Sequence, residues 1–156
     1  MSETKRQRSL VKGLAAGLIA GLAATAAKSL AEMVFPPRVH GEPDPPEALA
    51  ESLAGHALDR NTKETAGRTI RWGFGAAAGA AYGALAEYYP AATDKEGAAF
   101  GLALMALTEE TALPAMGISA PADEQTPRER TSEATSHLVY GLVIERVRRV
   151  VRGLLE

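Results

Sequence analysis

Residues 10–35 of the chain read LVKGLAAGLIAGLAATAAKSLAEMVF, and this stretch decides the fold. Gly13, Gly17 and Gly21 recur in it at every fourth position, which places them on one face of a helix. A glycine inside a water-exposed helix costs roughly 1 kcal/mol against alanine, whereas in lipid a row of small residues lets two helix backbones approach closely. The stretch therefore predicts a membrane helix that packs through its glycine face.

The same glycine spacing recurs later in a chain that is rich in alanine and holds 15 glycines among its 156 residues. One further row is Gly75, Gly79 and Gly83, and a shorter one is Gly97 and Gly101. Each row lies in a run without charged residues, but none of these runs reaches the roughly 18 residues that identify a spanning helix outright. A soluble bundle rich in alanine and glycine, with tight helix crossings, therefore stays open as an alternative.

Aromatic residues lie at the ends of these charge-free runs. Trp72 and Phe74 open the second run, and Tyr88 and Tyr89 follow its end. Phe35 closes the first run. This placement is typical of the aromatic belts at the two interfaces of a membrane, and it favours the membrane interpretation.

Basic residues flank the first run and the last, and they set an expected orientation. They are Lys5, Arg6, Arg8 and Lys12 before the first run and Arg146, Arg148, Arg149 and Arg152 after the last. An even number of spans puts both termini on one side, and the positive-inside rule makes that side cytoplasmic. We therefore predict four spans, with segments 36–70 and 118–131 facing outward.

No stretch alternates polar and apolar residues as a strand does, so the sequence predicts an all-α fold, a polytopic membrane helical bundle. The single domain spans residues 1–156, with one short amphipathic helix in the outward loop 36–61 and hydrophobic helices near 9–35, 62–89, 94–117 and 127–154. Helix starts are indicated by capping patterns, each with a glutamate three residues later, at Asp44, Asn61, Thr93 and Thr126. Pro114 predicts a kink in the third hydrophobic helix, or its end.

Several ionisable residues fall at membrane depth on these helices. The candidates for binding a proton or a small cation are Lys28, Glu32, Glu109, Glu110, Glu133 and His137. Such groups are costly in lipid and usually face the bundle interior, and the predicted topology brings them together in its outward half. Successive helical residues point about 100° apart, so at most one of Glu109 and Glu110 faces the bundle axis. A structural Lys28–Glu32 ion pair and a hydrogen-bonded core His137 stay open as alternatives.

Composition and motifs exclude several other functions. The net charge is −2, with 17 Lys and Arg against 19 Asp and Glu, so the chain lacks the basic field of a nucleic-acid-binding protein. There is no cysteine, and the spacing of Glu133 and His137 differs from the Glu-x-x-His pattern of di-iron bundles. We therefore predict neither a metal site nor a cofactor. No catalytic motif or triad is present, and we predict no enzyme activity.

Four groups of residues occur in order along the hydrophobic segments. They are Lys28 and Glu32 with Pro36-Pro37-Arg38, then Tyr82, Ala86-Glu87 and Pro90, then Pro114, Met116-Gly117 and Pro121, and finally Ser132-Glu133, His137-Leu138-Val139, Ile144-Glu145 and Arg148-Arg149. This ordered set resembles the YagU-like family of bacterial inner-membrane proteins. The resemblance implies an integral inner-membrane protein of unknown biochemical activity, with a suggested link to acid resistance, and it implies no catalytic residue.

The sequence leads to one main functional hypothesis and two alternatives. The main one is a multi-pass protein of the bacterial inner membrane, assembled as a homo-oligomer, whose buried polar residues bind or conduct protons or a small cation under acid or envelope stress. The first alternative is a scaffold membrane protein that is held together by its glycine rows and transports nothing. The second is the soluble or peripheral bundle already named. The expected partners are the lipid bilayer and further copies of the chain, and nucleic acid is not among them.

Overall fold

A computed structural model describes residues 8–38 and 43–156 of the chain. Lys5 and Arg6, two of the basic residues used to predict the orientation, lie outside the described residues. These ranges are helical and contain no strand, which confirms the all-α class. The α-helices are α1 (Leu10–Val34), α2 (Pro45–Ala54), α3 (Arg60–Tyr88), α4 (Ala98–Leu107), α5 (Leu113–Ala115) and α6 (Pro127–Leu154). A 3₁₀ segment, Pro90–Gly97, precedes α4, and a π-helical turn, Thr108–Ala112, joins α4 to α5.

Capping side chains fix the starts of the long helices. The capping box predicted at Thr126 is confirmed, because Thr126 accepts a hydrogen bond from the backbone of Glu129 while the Glu129 carboxylate accepts one from the backbone of Thr126. The box predicted at Asn61 is wrong. Helix α3 starts after Asp59, whose carboxylate accepts a hydrogen bond from the Thr62 backbone at 3.2 Å, so the helix begins earlier than the sequence suggested.

The structure does not contain the continuous helix predicted near 94–117, because the first residues of that range belong to the link between α3 and α4. Thr93 caps no helix, because its hydroxyl donates to the Pro90 carbonyl at 2.8 Å. Lys95 and Glu96 take left-handed backbone angles, with φ of 53° and 55°. Helix α4 then begins after Gly97, at φ 84°. Tight 3₁₀ turns followed by left-handed residues reverse the chain within a few positions, which a regular capped helix start does not do.

The kink predicted at Pro114 takes the form of the π-helical turn. Proline has no backbone N–H and its ring clashes with the carbonyl four residues earlier, so the regular hydrogen-bond ladder breaks over Thr108–Ala112. The Thr111 hydroxyl donates to the Ala106 carbonyl at 2.8 Å, five residues back. Helix α5 then ends at Ala115, and Gly117 follows it with φ 70°. The extra residue in this turn sets the directions of Glu109 and Glu110.

Helix α1 lies at the centre of the bundle and packs against α3 and α6, while α4 packs on α6 and α2 lies on α3. The rings of Tyr82 and Phe100, 4.6 Å apart, bring α3 against α4. We call the end where α1 begins and α6 finishes the terminal end. There the Ser9 backbone N–H donates to Glu87 at 3.0 Å. The opposite end, which carries α2 and the 116–126 connection, we call the loop end.

The interior of the bundle combines many small and polar residues with a limited apolar cluster around Tyr82, Tyr140 and Ile144, and many large apolar side chains face outward. Ala16, Ala20 and Ala24 of α1 are fully buried. In contrast, Leu18 and Ile19 on the same helix are 44% and 47% exposed. Among the described helices, α1 is long and apolar enough, by length and composition, to cross a membrane. That is weak support for membrane association, and in the ranges 8–38 and 43–156 the structure has this one candidate span where the sequence predicts four.

Candidate functional site

The first and second glycine rows face each other between α1 and α3. A Cβ added at Gly17 would lie 2.8 Å from the Cα of Gly83, and closer still to the carbonyl oxygen of Gly79. A Cβ at Gly79 would lie 2.5 Å from the Cα of Gly21. Since real Cβ atoms essentially never come this near to backbone, the two helices touch backbone to backbone. Gly13 and Gly75 occupy equivalent positions at either end of the same contact.

The third and shortest glycine row, Gly97 and Gly101, faces α6. A Cβ at Gly101 would meet the His137 carbonyl and lie 3.2 Å from the Cα of Gly141, and one at Gly97 would lie 3.0 Å from the Cβ of Glu145. The glycine rows are therefore occupied by contacts within one chain. A homo-oligomer would need another surface, such as the exposed leucines.

At the loop end, Arg38 joins two of the predicted candidates. Its guanidinium lies 3.5 Å from a carboxylate oxygen of Glu109 and 3.4 Å from one of Glu133. Arg38 follows α1, Glu109 comes from the π turn and Glu133 comes from the second turn of α6. The chain leaving α1 is held there because the Ser132 hydroxyl donates to the Phe35 carbonyl and the Arg128 guanidinium lies 5.3 Å above the Phe35 ring.

Glu133 is the most deeply buried of the candidate carboxylates. Its side chain is 6% exposed. One carboxylate oxygen, Oε1, faces Arg38, while Oε2 is buried and has no hydrogen-bond partner within 8–38 and 43–156. The Nδ1 atom of His137, which is 4% exposed, lies 3.0 Å from the backbone carbonyl of Glu133. His137 therefore lies below Glu133 on α6 as a hydrogen-bonded interior histidine.

Lys28 and Glu32 form an ion pair one turn apart on α1, next to this group. Glu32 also contacts Arg71 of α3 at 2.8 Å, and Arg71 contacts Asp44 at 2.7 Å. Lys28 and Glu32 act electrostatically on both Glu109 and Glu133. We call the whole group the loop-end cluster, and its members are Lys28, Glu32, Arg38, Asp44, Arg71, Glu109 and Glu133.

The loop-end cluster carries more negative than positive groups. Within the part of the chain that the structure describes, four carboxylates face three cationic side chains. When every side chain of the cluster is ionised, one negative charge is left uncompensated. The unpartnered Oε2 atom of Glu133 belongs to this cluster. Uptake of one proton or one monovalent cation would neutralise the group.

Glu110 does not join the loop-end cluster. It points away from Glu109 and its carboxylate lies 3.3 Å from the Arg130 guanidinium on the outside of α6. Its side chain is 30% exposed, against 15% for that of Glu109. The adjacent pair therefore divides, one carboxylate facing inward and one lining an outer cleft. In the described ranges, no three His, Cys, Asp or Glu side chains are placed to hold a metal ion.

A second buried ionic group, at the terminal end, was not among the predicted site residues. Glu145 of α6 is 1% exposed and accepts hydrogen bonds from the Tyr82 hydroxyl at 2.8 Å and from Arg148 at 2.7 and 2.9 Å. Arg149 contacts the same carboxylate at 2.6 Å. The sequence places Glu145 near the inner membrane interface, with solvation as its explanation, and it gives the arginines the role of setting the orientation. The spacing of Glu145 with Arg148 and Arg149, i+3 and i+4 on one helix, is the signal that was available.

Glu87 and Arg152 complete the terminal end. Glu87 continues the glycine face of α3, and its carboxylate pairs with Arg152, which is 1% exposed. Arg152 is one of the basic residues from which the orientation was predicted, and the structure buries its side chain. Glu87 also accepts a hydrogen bond from the Ser9 backbone N–H. Its carboxylate therefore joins the start of α1 to the ends of α3 and α6.

A family model described as a protein of unknown function (DUF1440) matches residues 22–146. The chain belongs to the DUF1440 family. The match includes every carboxylate of both ionic groups described here and ends before Arg148 and Arg152. It supports membership in a family of uncharacterised activity, and it carries neither the YagU-like name nor a link to acid resistance. No curated protein and no solved structure matches this DUF1440 chain.

Proposed function

We propose that the chain is an integral membrane protein in which α1, α3, α4 with α5, and α6 cross the bilayer. The observation that carries this proposal is the inverted distribution of side chains, since carboxylates, arginines and a histidine are buried while leucines face outward. In water that arrangement would expose apolar area and remove charge from solvent, and both are unfavourable. In lipid the outward leucines lie in hydrocarbon and the interior satisfies the polar groups.

The two ionic groups fit the two sides of a membrane. Arg71 and Glu87 mark the loop end and the terminal end of α3, and the helix between them is about 24 Å long. A hydrocarbon core is about 30 Å thick, so both groups lie near its edges. The basic residues of the C-terminus favour a cytoplasmic terminal end under the positive-inside rule. The loop end then faces outward, as expected in a bacterial inner membrane.

Within this membrane protein, the loop-end cluster binds one proton or one small monovalent cation. The support is its excess carboxylate together with the buried, unpartnered Oε2 atom of Glu133. Arg38 contacts both Glu133 and Glu109, so a proton or a cation taken up by these carboxylates would replace part of their attraction to Arg38. In the proposed orientation the cluster lies at the outward side of the membrane, which makes it a candidate sensor or entry site for external acid.

Infrared spectroscopy of the protein in lipid bilayers tests this binding directly. Wild type should show one buried carboxyl group that changes between protonated and ionised forms with external pH, or with sodium at fixed pH. That signal should disappear in Glu133→Gln. The matched control is Glu110→Gln, because Glu110 adjoins Glu109 in sequence but pairs with Arg130 outside the cluster. Loss of the signal in Glu110→Gln, or its persistence in Glu133→Gln, would contradict the assignment.

Ion flux in proteoliposomes then separates transport from binding. If the cluster is part of a pathway, wild type should pass ions faster than empty vesicles in a pH-dependent manner, and Glu133→Gln should remove that dependence. His137→Ala tests whether the pathway continues past the histidine. Flux equal to that of empty vesicles in all variants would remove transport and leave a binding or structural role.

The alternative is a scaffold membrane protein without transport or catalysis. It is favoured by the backbone contact between α1 and α3 and by the terminal end, where Glu145 accepts hydrogen bonds from three side chains. Under this alternative all polar groups only fix the packing, and no enzyme activity is expected under either proposal. Self-association would use the outward leucines of α1 or α4, since the glycine faces are occupied. A link to acid or envelope stress follows only from the first proposal.

A further inference from the structure

An open cleft of about 800 Å³ lies on the side of the bundle, between α4, the 118–126 connection and the first half of α6. Its volume falls within the roughly 300–1,000 Å³ of small-molecule sites. Of the six predicted site residues, Glu110 borders this cleft. The cleft is therefore separate from the loop-end cluster, and neither the family match nor the proposed function assigns it a ligand.

The cleft is apolar at one end and charged at the other. Leu102, Met105 and Leu138 line the end toward the middle of the bundle. Glu110, which lies in the π-helical turn about two turns after Leu102 of α4, is at the loop end with Arg130. In the proposed membrane orientation the apolar end lies at hydrocarbon depth and the charged end lies at the outer interface.

The charged end offers more acceptors than donors. Two carboxylates, Glu110 and Asp123, border it. The hydroxyls of Thr131 and Thr135 also line the cleft, but they donate to carbonyls of their own helix, at 2.7 Å each. Arg130 is the cation that lines this end of the cleft. A ligand that supplies an ammonium group to the acceptors and an anionic group to Arg130 complements this lining.

We propose that the cleft binds a zwitterionic phospholipid with a primary ammonium headgroup, taken from the outer leaflet. The ammonium group lies against Glu110 and Asp123. The phosphate lies against Arg130, and one acyl chain follows Leu102 and Leu138 toward the middle of the bilayer. The charge pattern favours this headgroup over an anionic phosphoglycerol headgroup, which has no ammonium to offer the acceptors.

Lipid retention by the full chain tests the proposal. Protein is reconstituted in bilayers of equal parts phosphatidylethanolamine and phosphatidylglycerol and extracted in mild detergent, and the lipids that remain bound are counted by mass spectrometry. Wild type should retain phosphatidylethanolamine at least several-fold over phosphatidylglycerol. Asp123→Asn combined with Glu110→Gln should abolish the preference. The matched control is Glu124→Gln, an exposed carboxylate next to Asp123 that does not line the cleft.

Several results of this experiment would overturn the proposal. Equal retention of both lipids by wild type would overturn the proposal, as would an unchanged preference in the Asp123 and Glu110 double variant. A preference lost equally in Glu124→Gln would also overturn it, because a general surface charge would then explain the binding. A second arm adds a free long-chain alkylamine as competitor. Displacement of bound phosphatidylethanolamine supports an ammonium site, whereas retention of the amine alone, without phospholipid, would overturn the bilayer lipid as its occupant.

Discussion

Gly17 of α1 and Gly79 of α3 face each other so closely that the carbonyl oxygen of each occupies the space that a Cβ on the other would need. No side chain fits between the two helices at this level. The contact is continued by Gly13, Gly21 and Gly83, so that van der Waals contact between backbones replaces the interdigitated side chains of an ordinary core.

A methyl group at Gly79 should therefore separate α1 from α3. We expect Gly79→Ala to destabilise the protein by about 1–3 kcal/mol, the usual cost of overpacking a closed interior, and to lower the thermal unfolding temperature in detergent. Gly73→Ala is the control on the same helix, because a Cβ there meets nothing within 4 Å. It should be neutral or should stabilise by up to about 1 kcal/mol. Equal effects of the two substitutions would contradict the contact.

The terminal end should be sensitive to removal of the buried Glu145 carboxylate. Glu145→Ala leaves Arg148 buried without its partner, and we expect a loss of about 3–5 kcal/mol in the free energy of unfolding. Tyr82→Phe removes one hydrogen bond to the same carboxylate and should cost about 1.5–3 kcal/mol. Chemical denaturation in detergent measures both losses.

A pair of similar chemistry at the surface serves as the control. Glu96 and Arg146 lie 3.1 Å apart, but both side chains are more than half exposed. Glu96→Ala should therefore change stability by at most about 1 kcal/mol. If Glu96→Ala and Glu145→Ala cost the same, burial is not what makes the terminal end important.

The attachment of α2 to α3 should weaken in acid. The hydrogen bond from the Lys63 ammonium and the one from the Leu58 backbone N–H hold the pKa of Glu51 below its ordinary value of 4.5. A carboxyl whose pKa is lower in the folded state stabilises that state fully above about pH 4.5, and this stabilisation is lost as the pH falls through the folded value. Amide exchange in α2, corrected for the intrinsic effect of pH, should therefore increase below about pH 4.5.

Glu51→Gln provides the check on this assignment. Without an ionisable group at this position, α2 should exchange faster at neutral pH and should respond less to acid. The Glu124→Gln variant, altered in the other connection at the loop end, should behave as wild type. An unchanged acid response in Glu51→Gln would show that another group causes it.

Local chemistry made much of the fold predictable. The Thr126 capping box and the kink at Pro114 depend on neighbouring residues, and both are visible in the sequence. The starts of α3 and α4 were less accessible. For α3, both Asp59 and Asn61 are suitable N-cap residues, and the sequence does not decide between them. For α4, the left-handed turn at Lys95 and Glu96 exists because the chain must reverse between packed helices, and no local sequence pattern encodes that reversal.

The sequence predicted at which level of the bundle the candidate residues lie, but it did not predict which side chains pair with each other. Glu109, Glu133 and the Lys28–Glu32 pair do meet at the loop end, because helix direction and position fix their depth. The role of Arg38 was missed, since it lies after a helix, where sequence periodicity gives no direction. From the sequence, Glu145 is expected near the inner interface, where solvation would explain its charge. Only the packing of Tyr82 from α3 against it shows that the carboxylate is interior.

The central claim, that four helices cross a bilayer, is tested most directly by the accessibility of single cysteines, because the chain has none of its own. Ala57→Cys and Glu124→Cys mark the loop end, and Asp94→Cys and Gly153→Cys mark the terminal end. In intact cells a membrane-impermeant maleimide should label only the first two, and it should label the other two only after the membrane is opened. Equal labelling of all four in intact cells, or release of the protein by carbonate without detergent, would contradict the account.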